Sequence, residues 1–334
     1  MSSRREGSAL GRLLEMLKEN EGRHCPGPDL AERLGLSRTG IWKHVQALKA
    51  RGYEIESHAK EGYMLVKSPD LLTPEEVAPY LKTAWLGRRY HHFAKLGSTN
   101  DQALLFAGEG APHGTVTTAE EQTAGRGRLR RPWESPPGCG IYMSMLLEPP
   151  IAARDAPQVI LVSGLALVKT LSEEFGLSAQ LKWPNDVLIG GKKISGMLAE
   201  MQSDQDAVRF LVIGVGINVN HRPEDMPETF RYPATSLAIE LGRTVKRRDV
   251  LAAFLERFER EYERFVKEGL TALLPELEGA SGVIGKVVTL LKGEEQVSGV
   301  VTGFTAEGAL LLADSQGREE IVWVGDITRV EGFH

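Results

Sequence analysis

The sequence predicts a multidomain α+β protein of three consecutive segments, residues 1–68, 69–282 and 283–334. Three observations carry this. Apolar residues first recur at helical spacing, then give way to two short alternating runs. The middle of the chain mixes strand-like and amphipathic helical stretches without the strict alternation of a doubly wound parallel sheet. The end holds only short strand-like runs punctuated by glycine.

In the first segment "GRLLEMLKEN" places Leu10, Leu13, Leu14 and Leu17 on one helical face, and "PDLAERLG" follows after a Pro/Gly break. "LSRTGIWKHVQALKARGY" then offers Ser37 as an N-cap and Ile41, Val45 and Leu48 as an inward face. "YEIES" and "YMLV" read as two strands around a polar turn. Helix, helix, tight turn, helix and hairpin is the order of a winged helix-turn-helix. The outward side of the third helix carries Thr39, Trp42, Lys43 and Gln46, with Ser37 and Arg38 at its start. Such residue types contact phosphates and base edges when a helix enters a major groove. Arg33, Arg38, Lys43, Lys49 and Arg51 make the region basic inside a chain of net charge −5. A three-helix unit for protein contacts would show the same spacing. The turn and the outward residue set favour DNA, although Gly40 inside the helix costs about 1 kcal/mol against Ala.

In the middle segment "GTVTTAEEQ", "GIYMSMLLE", "QLKWPNDVLI", "KKISGMLAEMQ" and "VRFLVIGVGINVN" read as strands. "APQVILVSGLALVKTLSEEF" and "RRDVLAAFLERFEREYERFVKEG" read as helices. In the last segment Gly293, Gly303, Gly308 and Gly317 fall at hairpin-like intervals, which predicts a small β-barrel.

Composition narrows the chemistry. Two cysteines, Cys25 and Cys139, exclude a disulfide framework and a cysteine-rich zinc site. No charge-free secretory core is visible, and the longest apolar run, Val159–Val168, is about half a membrane span. A soluble cytoplasmic protein is expected. There is no P-loop, no G-x-G-x-x-G after a strand, no H-E-x-x-H and no G-x-S-x-G. The eight histidines show no ligand spacing, so no protein-bound metal is expected, and His91-His92 reads as ordinary strand.

What stands out is "TAGRGRLRRPW", with four arginines between Arg126 and Arg131. Glycine frees backbone N–H groups there, and guanidinium grips carboxylate or phosphate bidentately. Alone, the loop would also suit a nucleic-acid backbone or plain solvent. It stands, however, between "GSTNDQA" upstream and "KWPNDVLIGGKKISGMLAE" and "GVGINVN" downstream. Singly these could be a helix cap, a turn, a charged hairpin and a glycine-bearing strand.

Together, and in this order, "GSTN", "EQTAGRGR", "KWPND", "KKISGML" and "GVGINVN" make the chain resemble the bacterial bifunctional biotin protein ligase/biotin operon repressor family over almost its whole length. The resemblance implies a central class II synthetase-like ligase domain and an SH3-like C-terminal barrel. It implies substrates biotin and ATP, with Mg²⁺ on the phosphates, and transfer to a lysine of the biotin carboxyl carrier protein of acetyl-CoA carboxylase. Arg126, Arg128 and Lys193 match the charge clamp for two meeting anions. Ser98, Thr99, Asn100 and Gln122 match the biotin-binding positions, joined by Arg126, Gly127, Arg128 and Lys193. Gly214 and Gly216 would let backbone approach the ligand closely, and Trp133 and Asn218 fall on the adenylate side, with Arg126, Arg128 and Lys193. Asp186 would orient Lys193, orient the incoming amine or help hold Mg²⁺, and Lys182 would be structural. The glycine-rich loop would order on ligand binding and so couple adenylate to a homodimer that sits on operator DNA. A sensor without catalysis, a ligase without operator binding and a lipoate ligase remain the competing readings.

Overall fold

The computed structural model describes residues 9–204, 207–226, 233–293 and 295–332. The chain divides into two compact units, Met1–Leu71 and Leu72–His334.

The smaller unit runs α1 (Ala9–Glu19), α2 (Gly27–Leu34), α3 (Arg38–Ala50), β1 (Glu54–His58) and β2 (Gly62–Lys67). Gly35 ends α2 in the left-handed conformation at φ 65°, a backbone that favours glycine, and the chain turns there into α3. Ser37 caps α3, its Oγ accepting from Gly40 N at 3.1 Å. Leu13, Leu14 and Leu17 of α1 meet Ile41, Val45 and Leu48 of α3 and Leu65 of β2 in one core. Each such side chain, fully buried, contributes about 1.5–3 kcal/mol. The antiparallel β1–β2 pair forms the wing.

The larger unit begins with α4 (Pro74–Val77), β3 (Tyr90–Phe93), α5 (Thr99–Gly108), β4 (Val116–Ala119) and β5 (Gly140–Leu147). It continues through α6 (Gln158–Phe175), β6 (Ala179–Lys182), β7 (Asp186–Ile189), β8 (Lys192–Asp204) and β9 (Ala207–Asn218). Then come α7 (Leu237–Leu241), α8 (Arg247–Glu268) and α9 (Leu274–Ala280). The seven strands form one sheet in the order β3-β4-β5-β9-β8-β7-β6, with only β3 and β4 parallel. Ile141, Met143 and Met145 of β5 and Ile213, Val215 and Ile217 of β9 alternate onto the face that shares a core with α6 and α8. The apolar run Val159–Val168 is buried within α6, and no helix among the described residues is long and apolar enough to cross a membrane.

Period 2 puts the intervening residues of the central strands on the other face, where Ser144, Gly214 and Leu198 pair across β5, β9 and β8, as do Tyr142, Gly216 and Gly196. Helix α5 packs at one end of this face through Ala103, against Leu146 and Val212. The rest of it carries the candidate site.

A second sheet follows, β10 (Val287–Lys292), β11 (Glu295–Phe304), β12 (Leu310–Ala313), β13 (Glu319–Val322) and β14 (Asp326–Val330), in the order β13-β12-β11-β10-β14. The sequence led us to expect a small barrel here. All neighbours are antiparallel, but no pairing between the edge strands β13 and β14 closes the sheet among the described residues. Hairpin turns are local and readable, whereas closure depends on strand tilt and stagger.

Candidate functional site

A cavity of about 390 Å³ opens on the glycine-bearing face of the seven-stranded sheet. It gathers residues from four separated stretches: Ser98, Thr99 and Asn100; Gln122, Arg126, Gly127, Arg128 and Trp133; Asp186 and Lys193; and Gly214 and Gly216. Asn218 does not line it. That residue borders a small adjoining void instead, and its Nδ2 donates to Thr235 O at 3.0 Å.

Ser98 occupies the N-cap position of α5, yet its side chain makes no capping bond. The next two residues anchor a polar network. Gln122 Oε1 accepts from Thr99 N at 2.9 Å and from Thr99 Oγ1 at 3.1 Å. Ser144 Oγ lies 2.9 Å from Thr99 Oγ1 and donates to Asn100 Oδ1 at 2.6 Å, and Asn100 Nδ2 donates to Glu200 Oε2 at 2.7 Å. A ring of fixed donors and acceptors thus borders the cavity, whose lining also takes in Met143, Met197 and Val215 of the strands beneath it.

The arginine loop folds back on itself: Trp133 N donates to Gly125 O, and Gly127 N to Arg131 O. Its tip, Arg128 to Arg131, holds two successive left-handed residues, Leu129 (φ 56°) and Arg130 (φ 55°). Neither is glycine, and each costs of order 1–3 kcal/mol. The two sequence-selected arginines end in different surroundings. Arg126 donates to both oxygens of Asp101 (2.9 and 2.6 Å) and to Glu200 Oε1 (3.0 Å). The hydrogen bond to Asp101 raises the Arg126 pKa, and the same bond lowers that of Asp101. Arg128 donates to neutral oxygens, Gly325 O at 2.9 Å and Asn185 Oδ1 at 3.4 Å, and burial pushes its pKa down.

Asp186 sits between two ammonium groups, with Lys193 Nζ at 2.7 Å and Lys182 Nζ at 3.4 Å. Burial alone would raise its pKa, but the two cations outweigh that and hold it below the ordinary carboxylate value. Lys182 is 2 % exposed, and burial pushes its pKa down despite Asp186. A bulge at Ile194 makes this cluster. Leu188 pairs with Lys193 and Val187 with Ser195, so Lys193 turns to the side of Asp186 and Gly196.

Gly214 and Gly216 were expected to admit a ligand. In the structure their space is taken by the protein: a Cβ at Gly214 would overlap the Asn100 amide, and one at Gly216 would lie 2.5 Å from Trp133 Cε2 and Nε1. Trp133 therefore rests on a glycine floor, with Lys193 Nζ 5.3 Å from its ring centroid.

Several residues of the site escaped sequence reasoning. Ser144 is the single small polar residue in "GIYMSMLL", which is a usable signal. Asp101 and Glu200 flank recognised motifs. Asn185 lies in "WPND", where its Nδ2 donates to Met197 O. Asp326, paired with Arg131 at 2.7 Å, comes from β14 and carries no local signal at all. In all, five cationic side chains line the cavity against Glu134, Asp186 and Asp326. Such a site favours an anionic ligand.

In the smaller unit α3 exposes Arg38, Thr39, Trp42, Lys43 and Gln46, with Trp42 52 % accessible. Ser37 is exposed too, but its hydroxyl is engaged in the cap.

Comparison with known proteins adds independent findings. A model of the biotin/lipoate A/B protein ligase family matches residues 94–218, and a helix-turn-helix domain model matches 10–64. The chain is 37% identical over 309 residues to the bifunctional ligase/repressor BirA of Bacillus subtilis, covering 92% of this chain and 95% of that protein. It is 30% identical over 291 residues to the bifunctional ligase/repressor BirA of Escherichia coli K12, covering 87% of this chain and 88% of that one. Among solved structures it is similar to the biotin protein ligase of Aquifex aeolicus in complex with biotin and ATP, at 31% identity and a TM-score of 0.64, over 73% of this chain and all of that one.

Proposed function

The chain belongs to the biotin/lipoate A/B protein ligase family, in its bifunctional ligase/repressor branch, and from that premise we propose the following reading of its site. The protein is an ATP-dependent biotin–protein ligase carrying a helix-turn-helix repressor unit. The observation that carries the reading is that one cavity unites four separated motif segments and an excess of positive charge.

In the first step a biotin carboxylate oxygen attacks the α-phosphorus of ATP, and pyrophosphate leaves. Two anions must approach, so preorganised cations lower the barrier. Arg128 and Lys193 serve here: Arg128 makes bonds to neutral acceptors, and Lys193 is aimed by Asp186. Arg126, gripped by Asp101 and Glu200, gives way to ligand or holds the polar end of the cavity in shape. Thr99, Asn100 and Gln122 offer the donors and acceptors a ureido ring needs, Ser98 stands beside them, and Gly127 lets the loop lie close. Mg²⁺ enters as the counter-ion of the triphosphate and withdraws charge from it. Asp186, already shared by two ammoniums, is a poor metal ligand, and no group of three His, Cys, Asp or Glu among the described residues could hold a metal ion.

In the second step a lysine amine of the biotin carboxyl carrier protein attacks the acyl carbon of biotinyl-AMP, and AMP leaves. Its lowered pKa makes Asp186 a weak base, so its part is to hold Lys193 and align the amine. The exposed face of α3 reads operator DNA, two copies acting as a homodimer in the cytoplasm, and the C-terminal sheet is an SH3-like module left open at its edge. We take 1–68, 69–282 and 283–334 as the functional divisions.

Biotin-dependent exchange of labelled pyrophosphate into ATP tests the reading. Exchange with biotin but not lipoate, reduced about 100- to 1000-fold by Arg128→Ala, is expected. No exchange with either acid would leave a DNA-binding sensor.

A further inference from the structure

Beside the main cavity lies a void of about 20 Å³, bordered by Trp133, Glu134, Lys193, Asn218 and His221. It has room for one water-sized group and not for a ring. Trp133, Glu134 and Lys193 border both spaces, so the two adjoin at these side chains. Two side chains on its border each hold a buried polar atom that has no hydrogen-bond partner among the described residues: Trp133 Nε1, a donor only, and His221 Nδ1. Buried polar atoms are nearly always paired, so two orphans at one void point to a ligand.

The neighbours of His221 fix which kind of atom Nδ1 is. Tyr142 Oη donates to Pro136 O at 3.0 Å, a carbonyl that can only accept. The same phenol oxygen lies 3.3 Å from His221 Nε2. Its hydrogen is spent, so it accepts from Nε2–H, and Nδ1 is left with a bare lone pair. Burial supports a neutral ring, since it pushes the imidazole down to about 4. The ring is 3 % exposed, and the residue is pinned through its carbonyl, which accepts from Ser236 Oγ at 2.7 Å.

We propose that His221 sets the base specificity of the nucleotide site: Nδ1 accepts a hydrogen from the exocyclic amino group of a 6-aminopurine and rejects a 6-oxopurine. This rests on the reading that the cavity binds a nucleoside triphosphate for adenylation. A 6-oxopurine would set its carbonyl lone pairs against that of Nδ1. Relief would require the proton to move to Nδ1, with loss of the bond to Tyr142. A site built to pair one polar group discriminates strongly against a ligand that cannot reciprocate.

The test is biotin-dependent pyrophosphate exchange by the full chain with ATP and with ITP, the 6-oxo analogue. The intact protein is expected to favour ATP over ITP by about 100-fold or more in kcat/KM. His221→Phe keeps the ring volume and removes the acceptor. It should raise KM for ATP about tenfold and bring the ATP/ITP ratio below about ten, with KM for biotin unchanged. Tyr142→Phe keeps the imidazole but releases its tautomer, and should give a ratio between these two. A purely structural role would change activity with both nucleotides alike. Use of ITP within about tenfold of ATP by the intact protein, or an unchanged ratio in both variants, overturns the assignment while leaving the ligase reading intact. Absence of exchange with either nucleotide would overturn the ligase reading, and this inference with it.

Discussion

The buried imidazole of His221 makes a second, independent prediction about stability. Its ordinary value of 6.5 applies in the unfolded chain, and burial lowers it to about 4 in the folded one. Between these values the unfolded chain binds a proton that the folded protein refuses. Stability therefore falls as pH falls from about 6.5 towards 4. Linkage makes the loss about 2 kcal/mol between pH 7 and pH 5, and about 3 kcal/mol by pH 4. Urea unfolding followed by tryptophan fluorescence suits the measurement, since four of the five tryptophans, Trp85, Trp133, Trp183 and Trp323, lie in the larger unit. His91 and His113 are also pushed down by burial and add to the slope, so the informative quantity is the difference between the intact protein and His221→Phe. The variant should lose about 2 kcal/mol less between pH 7 and pH 5. An equal loss in both proteins would show that the ring is not held neutral by burial.

Three further outcomes follow from contacts described above. Gly216→Ala places a Cβ 2.5 Å from Trp133 and must displace the indole, so pyrophosphate exchange should fall at least about tenfold while the fold loses only about 1–3 kcal/mol, by exchange assay and thermal melting. Arg247 is fully buried, donating to Glu120 Oε2 at 2.7 Å and Gly140 O at 2.9 Å; Arg247→Met should cost about 3–5 kcal/mol in urea unfolding, because it strands a buried carboxylate. Trp42→Ala should weaken operator binding in an electrophoretic shift by about tenfold, at unchanged exchange activity and melting temperature, since half of this side chain faces solvent and it has no place in the core.

Much of the architecture follows from local rules. The leucine spacing of α1, the inward face of α3 and the Ser37 cap were all readable because helix period and capping are properties of neighbouring residues. The motif segments were readable through their resemblance to the ligase/repressor family and not from local rules, since singly each also suits a cap, a turn, a hairpin or a strand. What could not be read was set by distant partners. Strict alternation along "KKISGML" would place Lys193 on the side of Ser195 and Met197, and only the bulge at Ile194 returns it to Asp186. The parallel pairing of β3 with β4 depends on α5 crossing between them. Asp326 reaches Arg131 from the far end of the chain. The glycines of β9 were read as places where backbone approaches a ligand, and the side chains that pack on them, Asn100 and Trp133, are set by distant segments.

The same distinction separates the two arginines of "GRGR". In the sequence they look alike, two residues apart and each preceded by glycine. In the fold Arg126 meets two carboxylates, so its charge is compensated before any ligand arrives. Arg128 stands on a backbone carbonyl and an amide oxygen, which orient a guanidinium without neutralising it. An anion entering the cavity gains more from a cation oriented by dipoles than from one it must first part from a carboxylate. Arg126 therefore ties the loop to α5 and β8, and on the proposed reading Arg128 is the one that meets substrate charge. The carbonyl that orients Arg128 belongs to Gly325, next to β14, and Asp326 of β14 pairs with Arg131, so the C-terminal sheet takes part in the site through a main-chain oxygen and a carboxylate. Substitutions in that strand should then alter the binding of ATP more than that of biotin, since among the described residues the polar ring around Thr99 and Asn100 is bonded to Gln122, Ser144 and Glu200.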